Sequence, residues 1–145
     1  MKSLFHCPLC GAPLDRDERR WFCPSGHSFD RAAAGYVHLL PANKKHSKDP
    51  GDSKAMVAAR SAFLEKGFYT PLRNSLCKAI SQYTCELPAP VVLDSGCGEG
   101  WYTEGLFQSL SQAGHAPRIA GVDLSKAALR RAAKRVPKAE FAVAS

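Results

Sequence analysis

Apolar residues recur at helical and at strand spacing after about residue 53, and the two patterns alternate. Helix-start signals predict four helices, which begin after Asp52 or Ser53, at Thr70, near Trp101 and after Ser125. Short apolar runs predict strands at 91–93, 119–125 and 140–144. This alternation predicts a Rossmann-like α/β domain.

The apolar positions also predict the buried face of each element. In the first helix they are Met56, Ala59, Ala62 and Phe63, and in the second they are Leu72, Leu76, Ala79, Ile80 and Tyr83. The third and fourth helices offer Leu106, Phe107, Leu110, Leu129, Ala132, Ala133 and Val136. The run 91–93 is wholly apolar, which predicts a strand buried on both faces.

The first forty residues differ in composition from the rest. They are rich in Cys, Pro and aromatic residues and show little helical periodicity. Residues 41–52 are polar and contain Pro50 and Gly51, which predicts an exposed linker. We therefore divide the chain into a small module at 1–40, a linker at 41–52 and an α/β domain at 53–145.

Length and composition narrow the classes of protein that the chain can represent. Its 145 residues are 45% hydrophobic, and it has no apolar run long enough to span a bilayer, so we expect no association with a membrane. Met1 to Phe5 leads directly into a cysteine motif without the apolar core of a secretory segment, which favours a cytoplasmic location.

The net charge of +7 favours a polyanionic partner, because Lys and Arg that neutralise phosphates release counterions. Basic residues cluster at Arg16, Arg19 and Arg20, at Lys44, Lys45 and Lys48, and at Lys126, Arg130, Arg131, Lys134, Arg135 and Lys138. The last cluster fits the solvated face of a helix equally well.

The apolar run at 91–93 leads into a glycine-rich turn. After Asp94, glycines stand at alternate positions, Gly96, Gly98 and Gly100, where they let the backbone turn sharply and approach a ligand closely. A dinucleotide site has the spacing G-x-G-x-x-G, whereas this loop has G-x-G-x-G. The pattern indicates a nucleotide-like cofactor other than a nicotinamide.

Asp123 supplies a second signal for a cofactor. It ends the next predicted strand, about 20 residues beyond the glycines, where a Rossmann-like unit places a carboxylate against ribose hydroxyls. Each signal alone fits an ordinary turn or a helix cap equally well. The order of strand, glycine loop, helix, strand and Asp favours a cofactor site.

Four potential metal ligands lie in the first module. Cys7 and Cys10 form a C-x2-C pair, and Cys23 and His27 form a C-x3-H pair twelve residues later. This spacing is typical of a structural zinc site, in which three thiolates and one imidazole complete a tetrahedron. A disulfide framework would leave His27 unexplained, and redox chemistry would need a βαβ context.

The other cysteines need no chemical role. Cys77 and Cys85 fall in and at the end of a predicted helix, where a small apolar residue is unremarkable. Cys97 lies within the glycine loop, but the sequence offers no neighbouring base to activate it, so a packing role is favoured.

The order of motifs resembles that of a known family. C-P-L-C, C-P-S-G-H-S-F-D, G-Y-V-H-L-L-P, K-D-P-G-D-S, F-L-E-K-G-F-Y-T-P-L-R and V-L-D-S-G-C-G-E-G-W-Y-T follow one another along the chain. This combination resembles the bacterial 23S ribosomal RNA guanine-N1 methyltransferases, which are class I S-adenosylmethionine-dependent enzymes with a zinc module.

The resemblance implies roles for individual residues. It implies zinc on Cys7, Cys10, Cys23 and His27, and S-adenosylmethionine against Tyr69, Asp94, Gly96, Gly98, Glu99, Gly100 and Asp123. It also implies a cytoplasmic homodimer whose zinc module helps to bind a hairpin of 23S rRNA. Tyr69 enters only through the resemblance, because sequence alone favours an aromatic core residue in a turn. No residue is assigned as the acceptor of the guanine N1 proton.

The chain departs from the family in length. A class I methyltransferase sheet has about seven strands, whereas about three are predicted here, so we expect an amino-terminal part of a longer enzyme with little activity of its own. We also expect the strand at 140–144 to have uncovered apolar faces. Two alternatives remain open: a non-catalytic zinc module that binds RNA or protein, and a methyltransferase that acts on another substrate.

Overall fold

The computed structural model describes residues 1–44 and 47–145. The first thirty residues form an antiparallel sheet of four strands in the order β1-β2-β3-β4. These strands are β1 (Lys2–His6), β2 (Pro13–Arg16), β3 (Arg20–Phe22) and β4 (Ser28–Asp30). The strands are too short and too irregular in hydrophobicity to be predicted from the alternation of apolar residues.

The second sheet is parallel and carries the four predicted helices. Its strands are β5 (Tyr36–His38), β6 (Val91–Ser95), β7 (Arg118–Asp123) and β8 (Glu140–Val143), in the order β5-β8-β7-β6. The helices are α1 (Lys54–Leu64), α2 (Thr70–Thr84), α3 (Trp101–Gln112) and α4 (Lys126–Arg135). The predicted α/β class is confirmed, and no described helix is long and apolar enough to cross a bilayer.

Serine caps define the starts of two helices. The Ser53 hydroxyl accepts a hydrogen bond from the Met56 amide, and the Ser125 hydroxyl accepts one from the Ala128 amide. Each bond satisfies an amide that has no partner within its helix. The predictions of both helix starts are therefore confirmed.

Strand β5 was not predicted, and it adds a fourth strand to the parallel sheet. It lies within the first forty residues, yet it pairs in parallel with β8 through Val37 and Ala142. Strand β8 therefore lies between β5 and β7 and is buried along its whole length. The expectations of three strands and of uncovered faces on β8 are wrong, because the small module supplies the neighbouring strand.

The predicted apolar faces are right for α3 and α4 but wrong for α1 and much of α2. Helix α1 buries Val57, Ser61 and Leu64, while Met56 and Phe63 are exposed. Helix α2 buries Cys77 and exposes Leu72, Leu76 and Tyr83. Tertiary contacts select the buried face here, because both helices have apolar residues on more than one side.

Strand β6 also departs from its prediction. Val91 and Leu93 are each 62% exposed, so the strand is not buried on both faces. Val92 packs against the core that the helices form with the sheet. Strand β6 is at one edge of the described sheet, and its second face is uncovered by the described residues.

A buried carboxylate joins the two sheets. Glu140, the first residue of β8, is 4% exposed, and its Oε2 accepts hydrogen bonds from the Ser3 hydroxyl at 2.7 Å and the Leu4 amide at 2.9 Å. Its Oε1 lies 3.6 Å from Arg16 Nη2 and 3.4 Å from Arg118 Nη2. Both partners of Oε2 lie in β1, so Glu140 fixes the antiparallel sheet against the parallel one.

We predict that Glu140→Ala lowers the free energy of unfolding by about 2–4 kcal/mol, because it leaves two arginines and two hydrogen-bond donors without their shared acceptor. Urea denaturation measures the change. Glu86→Ala is the matched control, since Glu86 is exposed, and it should change stability by less than about 0.5 kcal/mol. Equal stability of the two variants would contradict the role of Glu140.

Candidate metal centre and cofactor site

The four predicted metal ligands converge at one end of the antiparallel sheet. Cys7 and Cys10 lie in the turn between β1 and β2, and Cys23 and His27 lie in the turn between β3 and β4. All four ligand atoms lie within 4.8 Å of one another. The spacing in the sequence thus corresponds to a single cluster.

The distances within the cluster suit a tetrahedral ion. The Cys10 and Cys23 sulfurs are 3.7 Å apart, and His27 Nδ1 lies 3.6 Å from Cys7 Sγ and 3.4 Å from Cys23 Sγ. A tetrahedron with metal–sulfur bonds of about 2.3 Å has sulfur–sulfur edges of about 3.8 Å. The donor set and its spacing therefore fit zinc.

Two glycine turns shape this cluster. Gly11 and Gly26 both have positive φ, and their amides donate to the carbonyls of Cys7 and Cys23. Each turn directs two ligands of a pair to the same side of the backbone. Pro8 and Pro24 lie in the same two turns, and Pro and Gly are both typical turn residues.

The thiols of the cluster differ in acidity. Burial raises the pKa of Cys7, whereas the Ala12 amide, followed by Ser25 and His27, lowers the pKa of Cys10 to about 6. Cys10 is exposed at the surface. Because the thiolate is the metal-binding form, the lowered pKa of Cys10 favours metal binding at neutral pH.

The glycine loop follows β6 and is tied to the end of β7. Gly96, Gly98 and Gly100 all have positive φ, which explains the need for glycine at these positions. The Gly98 amide donates to Asp123 Oδ2 at 2.9 Å, and the Ser125 amide donates to Asp123 Oδ1 at 2.8 Å. Asp123 thus holds the loop in place, while each of its oxygens can still accept another hydrogen bond.

Two cavities flank the loop. One, of about 240 Å³, is lined by Asp94, Gly96 and Cys97 together with apolar residues of α2. The other, of about 340 Å³, lies at the carboxyl ends of β6, β7 and β8 and is lined by Gly96 and Asp123. Ligands of open α/β sheets bind at this edge of the strands.

The predicted cofactor residues occupy different positions around the loop. Asp94 accepts a hydrogen bond from the Thr103 hydroxyl at 2.6 Å, which joins the end of β6 to α3. A Cβ on Gly100 would lie 3.0 Å from Ala132, so this glycine allows α3 and α4 to pack closely. Tyr69 precedes α2, is 44% exposed and packs its ring against Phe63.

Glu99 is turned inward. It is 3% exposed, and its carboxylate forms no hydrogen bond among the described residues, although Arg135 Nη2 lies 3.7 Å from Oε2. Arg135 also pairs with Glu65 and Glu104, both at 3.0 Å. The structure therefore places Glu99 in an ionic cluster that joins the end of α1 to α3 and α4, and Glu99 also lines a small cavity beside Gly98.

Cys97 has the environment of a packing residue. It is buried, and desolvation, followed by the nearby charges of Asp94 and Asp123, raises the pKa of its thiol. Its sulfur also lies 3.0 Å from the position of a Cβ on Gly121. A buried thiol of raised pKa is a poor nucleophile, which agrees with the packing role that we expected.

Both the amino-terminal and the carboxyl-terminal parts of the chain match known protein families. Residues 5–48 match the zinc-ribbon family described as RlmA, N-terminal, and residues 92–145 match a methyltransferase domain. The chain is 37% identical over 138 residues to a 23S rRNA (guanine(748)-N(1))-methyltransferase of Streptomyces fradiae, covering 95% of this chain and 47% of the relative. The chain is therefore similar to a curated 23S rRNA (guanine-N1)-methyltransferase over nearly all of its own length.

A second relative has a similar name and a similar extent of alignment. A putative 23S rRNA (guanine-N(1)-)-methyltransferase of Bacillus subtilis is 35% identical over 145 residues, covering 98% of this chain and 50% of the relative. The chain thus spans about half the length of the curated relatives it matches. Among solved structures, DesVI of Streptomyces venezuelae aligns with a TM-score of 0.43 and 22% identity over 66% of this chain and 37% of DesVI.

The cavity at the carboxyl ends of the strands is lined by residues that the sequence analysis did not assign to a site. Gly51 and Asp52 line the larger cavity, although both belong to the predicted linker. Arg60 of α1 lines it too. Lys45 and His46, also in the predicted linker, lie outside the described residues. The motif K-D-P-G-D-S drew attention to this segment, but nothing in its spacing indicated where it would pack.

Proposed function

We propose that this chain belongs to an enzyme that transfers a methyl group from S-adenosylmethionine to N1 of a guanine in 23S rRNA, in the bacterial cytoplasm. This proposal rests on one observation, which is that two features occur together in one chain. A zinc ribbon of the RlmA type precedes a parallel sheet whose glycine loop is hydrogen-bonded to Asp123. Relatives with 35–37% identity over most of this chain carry that activity in their names.

The residues at the loop fit S-adenosylmethionine. Around a Cβ built on Gly96 or Gly98 there is no described atom within 4 Å, so the loop leaves open space where a ligand can approach the backbone. Asp123 has the remaining acceptor capacity to bind ribose hydroxyls. When bound, S-adenosylmethionine would supply a methyl group on a positively charged sulfur.

The chain's own contribution to catalysis is positioning. A guanine N1 within a hairpin is inaccessible, so the base must be unstacked before it can meet the methyl donor. The hydrogen bonds from Gly98 and Ser125 to Asp123 fix the shape of the loop before the cofactor binds. A preformed site of this kind lowers the entropic cost of bringing donor and acceptor together.

We propose further that the zinc ribbon contacts the RNA. Arg19, Arg20 and Arg31 are exposed on the ribbon, and the Arg20 guanidinium lies 5.3 Å from the centre of the Phe22 ring. Guanidinium groups bind phosphates in two hydrogen bonds and stack on bases. This surface therefore has the chemistry of an RNA contact, and a homodimer of the chain would present it twice.

The role we assign to zinc is structural. Cys7, Cys10, Cys23 and His27 would fill all four positions of a tetrahedral ion, which leaves no open position for a substrate. The ion would hold together two turns of a sheet whose strands are only three to five residues long. Small modules of this size need such a link because they bury little apolar surface.

We predict about one zinc ion per chain by elemental analysis, and its loss in Cys10→Ser. Removal of one ligand should also destabilise the ribbon, because metal binding contributes to folding. Cys85→Ser is the matched control, since Cys85 is an exposed cysteine at the end of α2 and should leave the metal content unchanged. Absence of zinc from the wild-type chain would remove this assignment.

We predict that S-adenosylhomocysteine binds the chain in a calorimetric titration, and that Asp123→Asn weakens binding by roughly 10- to 100-fold because a charged acceptor of the ribose hydroxyls is lost. Asp30→Asn removes an exposed carboxylate from the ribbon and should have no effect. A wild-type chain that does not bind S-adenosylhomocysteine would refute the proposed cofactor.

We predict that disruption of the gene in its source organism removes one N1-methylguanine from 23S rRNA. N1-methylation blocks base pairing, so the modified position appears as a stop in reverse transcription, and the stop should vanish. A gene copy with Asp30→Asn should restore the stop, whereas one with Asp123→Asn should not. Persistence of every such stop after disruption would rule out this substrate, and loss of a methyl group from another molecule would indicate a different one.

A further inference from the structure

The predicted linker forms one wall of the cavity at the carboxyl ends of the strands. A Cβ on Gly51 would lie 2.6 Å from the Ser125 amide nitrogen, so only glycine allows the linker to approach this closely. The Ser125 hydroxyl then donates to the Asp52 carbonyl at 2.6 Å. These two contacts fix the backbone of Asp52 beside the end of β7.

Asp52 in turn holds Arg60. The Arg60 guanidinium lies 2.9 Å from Asp52 Oδ2, and its side chain is 58% exposed. Arg60 lines the cavity of about 340 Å³, and also a small cavity next to Gly98 and Glu99. Among the described residues that line these two cavities, it is the only cation.

The charge around Arg60 is otherwise negative. Asp52, Glu99 and Asp123 all line one or both of these cavities. S-adenosylmethionine has an amino-acid part with one ammonium and one carboxylate. Carboxylates of the protein suit the ammonium, but they repel the carboxylate of the ligand unless a cation lies beside it.

Two other arginines near the loop already have partners. Arg73 donates to the Trp101 carbonyl at 3.2 Å, and its guanidinium lies 4.1 Å from the centre of the Trp101 ring. Arg135 is paired with Glu65 and Glu104. Arg60 has one ion pair, to Asp52, and a guanidinium can bind a second carboxylate through its other donors.

We propose that Arg60, positioned by Asp52, binds the carboxylate of the amino-acid part of the cofactor. This inference rests on the proposed function, because it assumes that S-adenosylmethionine occupies the edge of the sheet at the glycine loop. It assigns a binding role to α1 and to the linker, which join the cofactor site from outside the methyltransferase match at 92–145.

The test compares two ligands that differ only in the carboxylate: S-adenosylhomocysteine and its decarboxylated form, S-adenosyl-3-thiopropylamine. Calorimetry measures the affinity of each for the wild-type chain and for Arg60→Gln. We expect Arg60→Gln to lower the affinity for S-adenosylhomocysteine by roughly 10- to 100-fold. The affinity for the decarboxylated ligand should change by less than about threefold.

Lys66→Gln provides the control for net charge, because Lys66 is exposed just beyond the end of α1 and lines neither cavity. It should leave both affinities unchanged. An equal loss for both ligands in Arg60→Gln, or no loss for either, would overturn the inference. So would a loss of RNA binding alone, which would assign Arg60 to a phosphate.

A wild-type chain that binds neither ligand would instead refute the proposed cofactor, and the inference with it. Asp52→Asn tests the positioning role separately. We expect Asp52→Asn to lower the affinity for S-adenosylhomocysteine but not that for the decarboxylated ligand. The loss should be smaller than in Arg60→Gln, because the cation remains while its orientation is lost. Unchanged affinity in Asp52→Asn would remove Asp52 from the proposal and leave Arg60 in it.

Discussion

The position of β8 between β5 and β7 is the constraint on which the rest of the structure depends. Strand β5 belongs to the amino-terminal module, so the module and the methyltransferase part share one sheet. They also share a core, in which Leu14 and Trp21 of the ribbon pack with Ala142 of β8. The ribbon is therefore an integral part of the fold and not an appended binding module.

Glu140 makes this junction dependent on charge as well as on packing. A carboxylate that is almost fully buried is costly unless its oxygens have partners, and here they have two hydrogen-bond donors and two arginines. The donors Ser3 and Leu4 lie in β1, whose following turn carries Cys7 and Cys10. Strand β1 thus lies between the metal cluster and the sheet that carries the glycine loop.

The sequence predicted some features because their causes are local. The cysteine pairs, the helix caps Ser53 and Ser125, and the glycines of the loop act within a few residues, so their spacing is sufficient to identify them. The apolar faces of α1 and α2 were predicted wrongly because burial depends on which neighbour each helix meets. Strand β5 was missed for the same reason. Three residues are too few to show the alternation of a strand, and only the pairing with β8 defines it.

The carboxyl edge of the parallel sheet shows the same division between local and distant causes. Asp123 was assigned to this edge because a strand end and a glycine loop have a characteristic separation along the chain, and the structure shows it hydrogen-bonded to the loop. Arg60 was not assigned, because it lies on another helix, and the sequence does not show its ion pair with Asp52 or the close approach of Gly51 to Ser125. The spacing of Arg60 and Asp123 along the chain matches no known pattern, so it does not indicate that they line one cavity. The sequence therefore indicates the loop and the ribose side of a cofactor site, and the three-dimensional structure is needed to find the charge that would meet its other end.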